Sequence, residues 1–248
     1  MNGFKLIYIL IFSLLLSACS SERDENTWIV GTSADNPPYE YMRNGKIEGF
    51  DIDLMIAVGQ HLGKNIEFVN MEFQGLLASL SSKTVDFVIA GMSVTRDRQM
   101  RVDFSIPYTN AKVAVLVKRD SGIKDPEGLR GKIVGSQLGT IWSLIAHDLG
   151  LSYGFSTKTL ANNLMLVEEL KLGRVSGIIL EEYQVEKFTA KDPQFSGFSV
   201  DAKYSSSFAI AMPKNSINKK NINQTIKSLQ KNGTIEKLAR KWGIAGAD

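Results

Sequence analysis

The chain has 248 residues, with 29 Lys and Arg against 26 Asp and Glu and a formal net charge of +3. That near balance, mixed along the chain, excludes nucleic acid or an anionic surface as the partner that shapes it. The length suits one large domain or two small ones with substantial cores, and a single cysteine excludes a disulfide framework.

Residues 1–19 read as a leader. Lys5 supplies the positive start, residues 6–16 are an apolar run of eleven, LIYILIFSLLL, and Leu16-Ser17-Ala18-Cys19 offers a small-residue cleavage site. The run is in the signal-peptide range and too short to cross a bilayer as a helix. LSAC resembles the lipobox of bacterial lipoproteins, which implies cleavage before Cys19 and lipidation on it. Several acyl chains on one residue anchor stably. From Ser20 onward 229 residues remain, and without Lys5 they carry 28 basic against 26 acidic side chains. Residues 20–27 are a polar tether.

Strands and helices then alternate. Residues 28–32 read as a strand and 33–38 as a turn-rich loop, where Pro37-Pro38 forbids helix. Gly49 and Phe50 precede an amphipathic helix with Leu54, Ala57, Val58 and Leu62 on one face and Gly63 as its stop. A strand at 66–69, a helix at 73–81 and a buried strand at 85–90 follow. After a β-prone run at 112–118 the alternation restarts: strand 132–135, helix 140–149, weak strand 155–158, helix 162–172, strand 175–180, helix 182–189. Residues 206–212 (SSFAIAM) are another β run, and two helices close the chain near 217–231 and 234–242.

The alternation implies an α/β fold with right-handed crossovers, and the restart implies two lobes. The expected architecture has two parallel-rich sheets joined by two crossing segments, near residues 112 and 208, with a ligand cleft between the lobes. The expected boundaries are 28–110 plus 208–248 for lobe one and 111–207 for lobe two.

The densest chemistry lies just past the strand at 85–90. Gly91, Ser93, Thr95 and Arg98 fall within eight residues. Glycine lets backbone approach a ligand, hydroxyls both donate and accept, and a guanidinium grips a carboxylate with two parallel bonds. Beyond a strand's carboxyl end is where open α/β sheets bind ligands. The segment fits a half-site for an amino-acid carboxylate. It equally fits a short surface helix, RDRQMR, in which Arg98 merely caps or pairs. His61 and His147 have no second ligand-type neighbour in sequence, so no metal and no cofactor are expected. Asp51 and Asp53 flank a helix start, where the dipole alone accounts for acids.

Several ordered motifs resemble the family-3 solute-binding proteins, the amino-acid receptors of bacterial ABC importers. They are Gly31-Thr32 with Pro37-Pro38-Tyr39; GFDIDL at 49–54; Gly91-Met92-Ser93-Val94-Thr95 with Arg98, Asp103-Phe104-Ser105 and Pro107-Tyr108; Gly131-Lys132 with Gly139-Thr140; and Gly233-Thr234 through Lys241-Trp242-Gly243. The resemblance covers residues 28–244.

It implies a carboxylate subsite of Arg98, Ser93 and the backbone N–H groups of Thr140 and Ile141, where a helix start favours anions anyway. It implies an ammonium subsite of Glu181, the Gly91 carbonyl and the Ser93 hydroxyl, and Phe73 packed on the ligand side chain. Ser33 and Asn36 stand where the family often has an acid and an aromatic, leaving Tyr39, Glu72 and Gln137 to line the pocket. Glu181 and the KWG ending are similar to arginine-binding members. The implied partners are a free L-amino acid, an inner-membrane ABC permease and, through the lipid on Cys19, the membrane. A monomer is expected. The alternative carried beside this non-catalytic reading is a periplasmic enzyme that resembles cyclohexadienyl dehydratases, with Glu181 as general acid.

Overall fold

The structure, a computed structural model, describes residues 24–244. The leader, Cys19 and the tether up to residue 23 lie outside the described residues.

The first half runs β1 (Thr27–Thr32), β2 (Asp35–Asn36), β3 (Glu40–Arg43), β4 (Lys46–Glu48), α1 (Phe50–Leu62) and β5 (Asn65–Asn70). A 3-10 turn (Phe73–Gly75) then leads into α2 (Leu76–Ser81), followed by β6 (Phe87–Val88), α3 (Arg96–Arg101), β7 (Val102–Phe104), β8 (Thr109–Ala111) and β9 (Val113–Lys118). The second half runs β10 (Ile133–Gln137), α4 (Ile141–Tyr153), β11 (Ser156–Leu160), α5 (Asn163–Lys171), β12 (Gly177–Glu181), α6 (Glu182–Lys191), β13 (Phe195–Ser199), β14 (Ser206–Phe208), β15 (Ala211–Pro213), α7 (Lys219–Lys231) and α8 (Thr234–Trp242).

Two five-stranded sheets result, in the orders β5-β1-β6-β15-β7 and β11-β10-β12-β9-β13. Each is mixed. The first three strands of each are parallel, and the last two pairings are antiparallel. The chain passes from sheet one to sheet two through β8 and returns through β14. These two strands pair with each other, antiparallel, as a separate ribbon.

Local chemistry explains the element boundaries. Gly49 has φ 143°, and a Cβ there would stand 2.0 Å from the Tyr39 carbonyl oxygen. Only glycine permits that approach, which lets Phe50 and Asp51 donate their N–H groups to the Pro38 and Tyr39 carbonyls as α1 starts. Gly63 ends α1 in the left-handed conformation. Thr140, Asn162 and Glu181 cap α4, α5 and α6 by accepting backbone N–H bonds.

The β run at 206–212 divides in two. Ser105 brackets Ile210, its N–H donating to the Ile210 carbonyl and its hydroxyl accepting from the Ile210 N–H. The chain thereby leaves the ribbon and enters sheet one. Of the buried run 85–90, only Phe87–Val88 pairs as a strand. Strand β13 was not anticipated. It is an edge strand behind Pro193, and its residues alternate in burial.

The cores follow the sheets. Leu54, Met55 and Val58 of α1 share a buried cluster with Val30 and Phe87 of sheet one, and Leu76 and Leu80 of α2 share another with Val88 and Phe104. In sheet two, Leu166 and Leu170 of α5 and Val185 and Phe188 of α6 pack with Leu116, Ile178 and Leu180. Burial of each such side chain contributes roughly 1.5–3 kcal/mol. Aromatic rings link the two halves at the ribbon: Phe208 meets Tyr39 edge-on at 5.3 Å on one side and Trp142 at 6.5 Å on the other.

Candidate functional site

A crevice opens between the sheets. Asn36, Glu40, Phe73, Ala90, Gly91 and Ser93 form the wall nearer sheet one. Gln137, Thr140, Ile141, Trp142, Asn163 and Gln184 form the opposite wall. The walls nearly touch, and the space open to a water-sized body is about 10 Å³. That is roughly one water, so any larger solute enters only when the two halves part.

On the first wall, Gly91 is held by Asp51. One Asp51 oxygen accepts the Gly91 N–H at 2.7 Å and the Tyr108 hydroxyl at 2.7 Å. Asp51 is therefore more than a helix-dipole acid. It is fully buried and sets the glycine's position. A Cβ on Gly91, whose φ is 52°, would meet the Asn36 amide at 2.9 Å and the Phe208 ring at 3.2 Å.

Glu40 faces the same region, with Oε1 accepting from Asn36 Nδ2 at 2.9 Å. Burial, then the Asp51 charge, pushes its pKa well above the ordinary value, while burial lifts Asp51 to about 6. Glu40 Oε2 and Asp51 Oδ1 are both buried and lack another partner. A proton held by Glu40 and directed at Asp51 satisfies both oxygens.

Arg98 follows Thr95, whose hydroxyl caps α3 by accepting the Arg98 N–H. The surface-helix reading fails for the side chain, which is buried. Its Nη1 donates to the Ser93 carbonyl at 2.7 Å and its Nη2 to the Gly139 carbonyl at 3.0 Å, and the guanidinium lies 5.4 Å from the Phe73 ring centre. Burial, then neighbouring Arg101, lowers its pKa to about 10. Arg98 stands against the wall, bonded to Ser93 and packed on Phe73, and it joins the two halves through Gly139 beside it.

On the second wall, Thr140 uses its hydroxyl locally, donating to the Gln137 carbonyl at 2.7 Å while capping Ser143. The amides of Ile141 and Trp142 begin α4, where no intrahelical acceptor exists. Glu181 ends β12 and is buried. Its Oε2 accepts the Gln184 N–H at 3.1 Å, and its Oε1 has no hydrogen-bond partner. Burial raises its pKa to about 8. The nearby Tyr39 hydroxyl opposes that rise weakly, without the geometry of a hydrogen bond.

The structure thus brings Gly91, Ser93, Phe73, Asn36, Gln137, Thr140 and Ile141 together on the walls; Arg98 and Glu181 do not line them but bond to residues that do, Ser93 and Gln184. Three expected lining residues sit elsewhere. Glu72 is exposed and bonds Gln74, because the 3-10 turn directs Phe73 inward and its neighbour outward. Tyr39 is a fully buried core residue between Phe50 and Phe208. Ser33 is buried and donates to Asp35 Oδ1 at 3.4 Å.

Sequence reasoning missed Glu40, Trp142, Asn163 and Gln184 on the walls, and Asp35 behind them. Asp35 Oδ2 accepts from Gln137 Nε2 at 2.9 Å and from the Asn163 N–H at 2.8 Å. One signal was available. Glu40 follows the Pro-Pro-Tyr motif that leads to the crevice.

Two mixed sheets joined by a paired ribbon, with a crevice at their strand ends, define the two-lobe class of binding proteins. Residues 28–245 match the bacterial extracellular solute-binding proteins, family 3, and the chain belongs to that family. It is 38% identical over 234 residues to the arginine-binding extracellular protein ArtP of Bacillus subtilis (strain 168), covering 92% of each chain. An ancestral arginine-binding protein solved with arginine superposes with a TM-score of 0.82 at 34% identity, covering 89% of this chain and 99% of that one. The ancestral amino-acid-binding protein AncCDT-1, described as a precursor of cyclohexadienyl dehydratase, superposes with a TM-score of 0.79 at 32% identity, covering 88% and 95%. No helix among the described residues is long and apolar enough to cross a membrane.

Proposed function

We propose that this solute-binding protein captures a free cationic L-amino acid, arginine foremost, and presents it to the permease of an ABC importer. The observation that carries this reading is the charge imbalance around the crevice. Asp35, Glu40, Asp51 and Glu181 are buried there beside one buried cation, Arg98. Burial pushes every one of these carboxyls toward its neutral form. An entering ammonium or guanidinium reverses that push, since an opposite charge nearby favours ionisation.

Glu181, with a free oxygen, is the counter-ion for the α-ammonium, together with the Gly91 carbonyl and the Ser93 hydroxyl. Arg98 uses two of its five N–H donors on carbonyls and retains others for the α-carboxylate. The Ser93 hydroxyl and the α4 amides from Thr140 and Ile141 stand beside that carboxylate. Phe73, Asn36 and Gln137 bound the side chain, and Glu40 replaces Glu72 as the acid that meets a cationic end. Binding supplies the free-energy difference that selects the closed form.

The lobes are residues 28–110 plus 208–248 and residues 111–207. Cys19 carries the lipid that holds the receptor at the membrane, and the receptor works as a monomer. The test is calorimetry with the twenty L-amino acids. Arginine should bind, Arg98→Ala should lose at least about a hundredfold in affinity, and Glu40→Gln should weaken arginine more than glutamine. Unchanged affinity in Arg98→Ala refutes the carboxylate assignment.

One observation favours a second reading. Glu181, at about 8, keeps its proton at neutral pH, as a general acid must. The likeness to AncCDT-1, a precursor of cyclohexadienyl dehydratase, supports the same reading. Incubation with prephenate or arogenate should yield no aromatic product if the receptor reading holds, and appearance of phenylpyruvate or phenylalanine replaces it.

A further inference from the structure

Asp35 sits on sheet one's side of the crevice yet bonds mainly to the other side. A single oxygen, Oδ2, accepts both the Gln137 side-chain amide at 2.9 Å and the Asn163 N–H at 2.8 Å. Asn163 is the first residue of α5, so its N–H has no acceptor within the helix, and the helix dipole favours a carboxylate there. The bond spans 128 residues of sequence. Gln137 is fixed further, its Oε1 accepting from Asn163 Nδ2 at 3.0 Å and its Nε2 also donating to the Ala161 carbonyl at 3.1 Å. Gln184, from α6, donates to the Asp35 carbonyl at 3.5 Å. Asp35 itself is 2% exposed and forms no part of the crevice wall, whereas Asn163, Gln137 and Gln184 all do.

We propose that Asp35 is an interlobe latch: one carboxylate oxygen shared by Gln137 and Asn163 holds the two lobes shut and sets those residues in the crevice, without touching the solute. The idea rests on the two-lobe receptor reading and adds to it a positioning residue outside the carboxylate and ammonium subsites. Opening the crevice must break both bonds or carry them into water. Removing the acceptor while the lobes stay shut leaves two buried donors unpaired, so the shut form loses population.

The polar groups facing Asp35 are Ser33 from its own loop, Gln137 from β10, Asn163 from α5 and Gln184 from α6. The ionisable neighbour is Glu40 on β3, whose proton affinity Asp35 raises. Burial lifts Asp35 to about 6. A carboxyl whose pKa is higher in the shut form than in the solvated open form takes up a proton on closing. Closure is therefore favoured as the pH falls through 6, and the protonated acid still accepts at Oδ2. Asparagine, which places a carbonyl oxygen at Oδ2 and an amide toward Ser33, keeps the latch and removes this pH dependence.

The test is hydrogen exchange on the full chain with no solute added, read at the Ile141 and Trp142 amides. These lie on the wall and are not bonded to Asp35. Asp35→Ala should speed their exchange about tenfold, and Asp35→Asn should stay within about threefold of wild type. Lowering the pH from 7 to 5 should protect these amides in the wild type beyond the intrinsic chemical slowing, and not in Asp35→Asn. Asn163→Pro deletes the donated N–H at a first helical position that tolerates proline. It should raise exchange at the same amides, and it serves if Asp35→Ala fails to fold. Exchange unchanged in the alanine and proline variants, or raised equally by alanine and asparagine, overturns the latch. L-Arginine is the solute probe in a second arm, and Asp35→Ala should speed its dissociation while association stays within about threefold. If wild type ignores arginine while the exchange pattern holds, the arginine reading falls and the latch stands.

Discussion

Gly49 shows how much one residue can fix. Its conformation, φ 143° and ψ 179°, belongs almost solely to glycine, and the Tyr39 carbonyl leaves no room for a side chain. Gly49→Ala should cost about 3 kcal/mol or more, measured as a lower urea midpoint, because it combines backbone strain with a steric clash. The next residues, Phe50 and Asp51, inherit their places from that turn, and Asp51 in turn seats Gly91. A tolerated alanine at 49 would mean that the turn relaxes independently of the crevice. Residue types at this scale were readable: Gly91, Ser93, Arg98, Thr140 and Glu181 lie at or beside the crevice. Their partners were not. Nothing local tells Asp35 that it meets Asn163, or Asp51 that it meets Tyr108, since the fold alone brings such distant residues together.

Among elements, helices with a sharp apolar face and a glycine stop were legible in advance. Helix α1 needed only its Leu54 and Val58 spacing and Gly63. Short strands were harder. Strand β13 carries Ser196 and Gly197 between its phenylalanines and Ser199 after them, and only β9 beside it makes it a strand. The break between β14 and β15 depends on Ser105, about a hundred residues earlier. The C-terminal helix α8 is tied to α1 by Asp53, which accepts from Trp242 Nε1 at 2.7 Å and Lys241 Nζ at 2.6 Å, while Trp242 meets Tyr41 edge-on at 6.1 Å. Asp53 therefore does more than complement the α1 dipole. Asp53→Ala should lower stability by about 1 kcal/mol, the scale of a partly solvated charge-assisted bond, with thermal unfolding as the measurement. A loss below about 0.3 kcal/mol would assign the docking of α8 to its apolar face alone.

For the whole molecule, the buried carboxyls set the pH response. Asp35 and Asp51 stand near 6 and Glu181 near 8, all above their unfolded values of 3.8 and 4.5. A group whose pKa is raised on folding binds its proton more tightly in the native state, so its contribution to stability is lost as the pH rises through the folded pKa. Without solute, the melting temperature should therefore climb as the pH is lowered from 9 to 6. The lowered groups, such as Asp103 and Glu169, act in the opposite direction, but only near and below their ordinary pKa values. A cationic amino acid reverses the trend. On the proposed ammonium subsite it must displace the Glu181 proton, so affinity should weaken as the pH falls below 8, and titrations at pH 6 and pH 8 measure the difference. Equal affinity at both would remove Glu181 from the ammonium subsite.

The chain enters sheet one at β1 and finishes on it, through β15 and the two helices that follow. Both ends of the described residues therefore lie on the same half. Among the described residues the other half is joined to it covalently through β8 and β14 alone, like a lid on its hinge, so holding the first half on a chip or a bead should leave the parting of the halves proposed above unhindered once the contacts across the crevice give way.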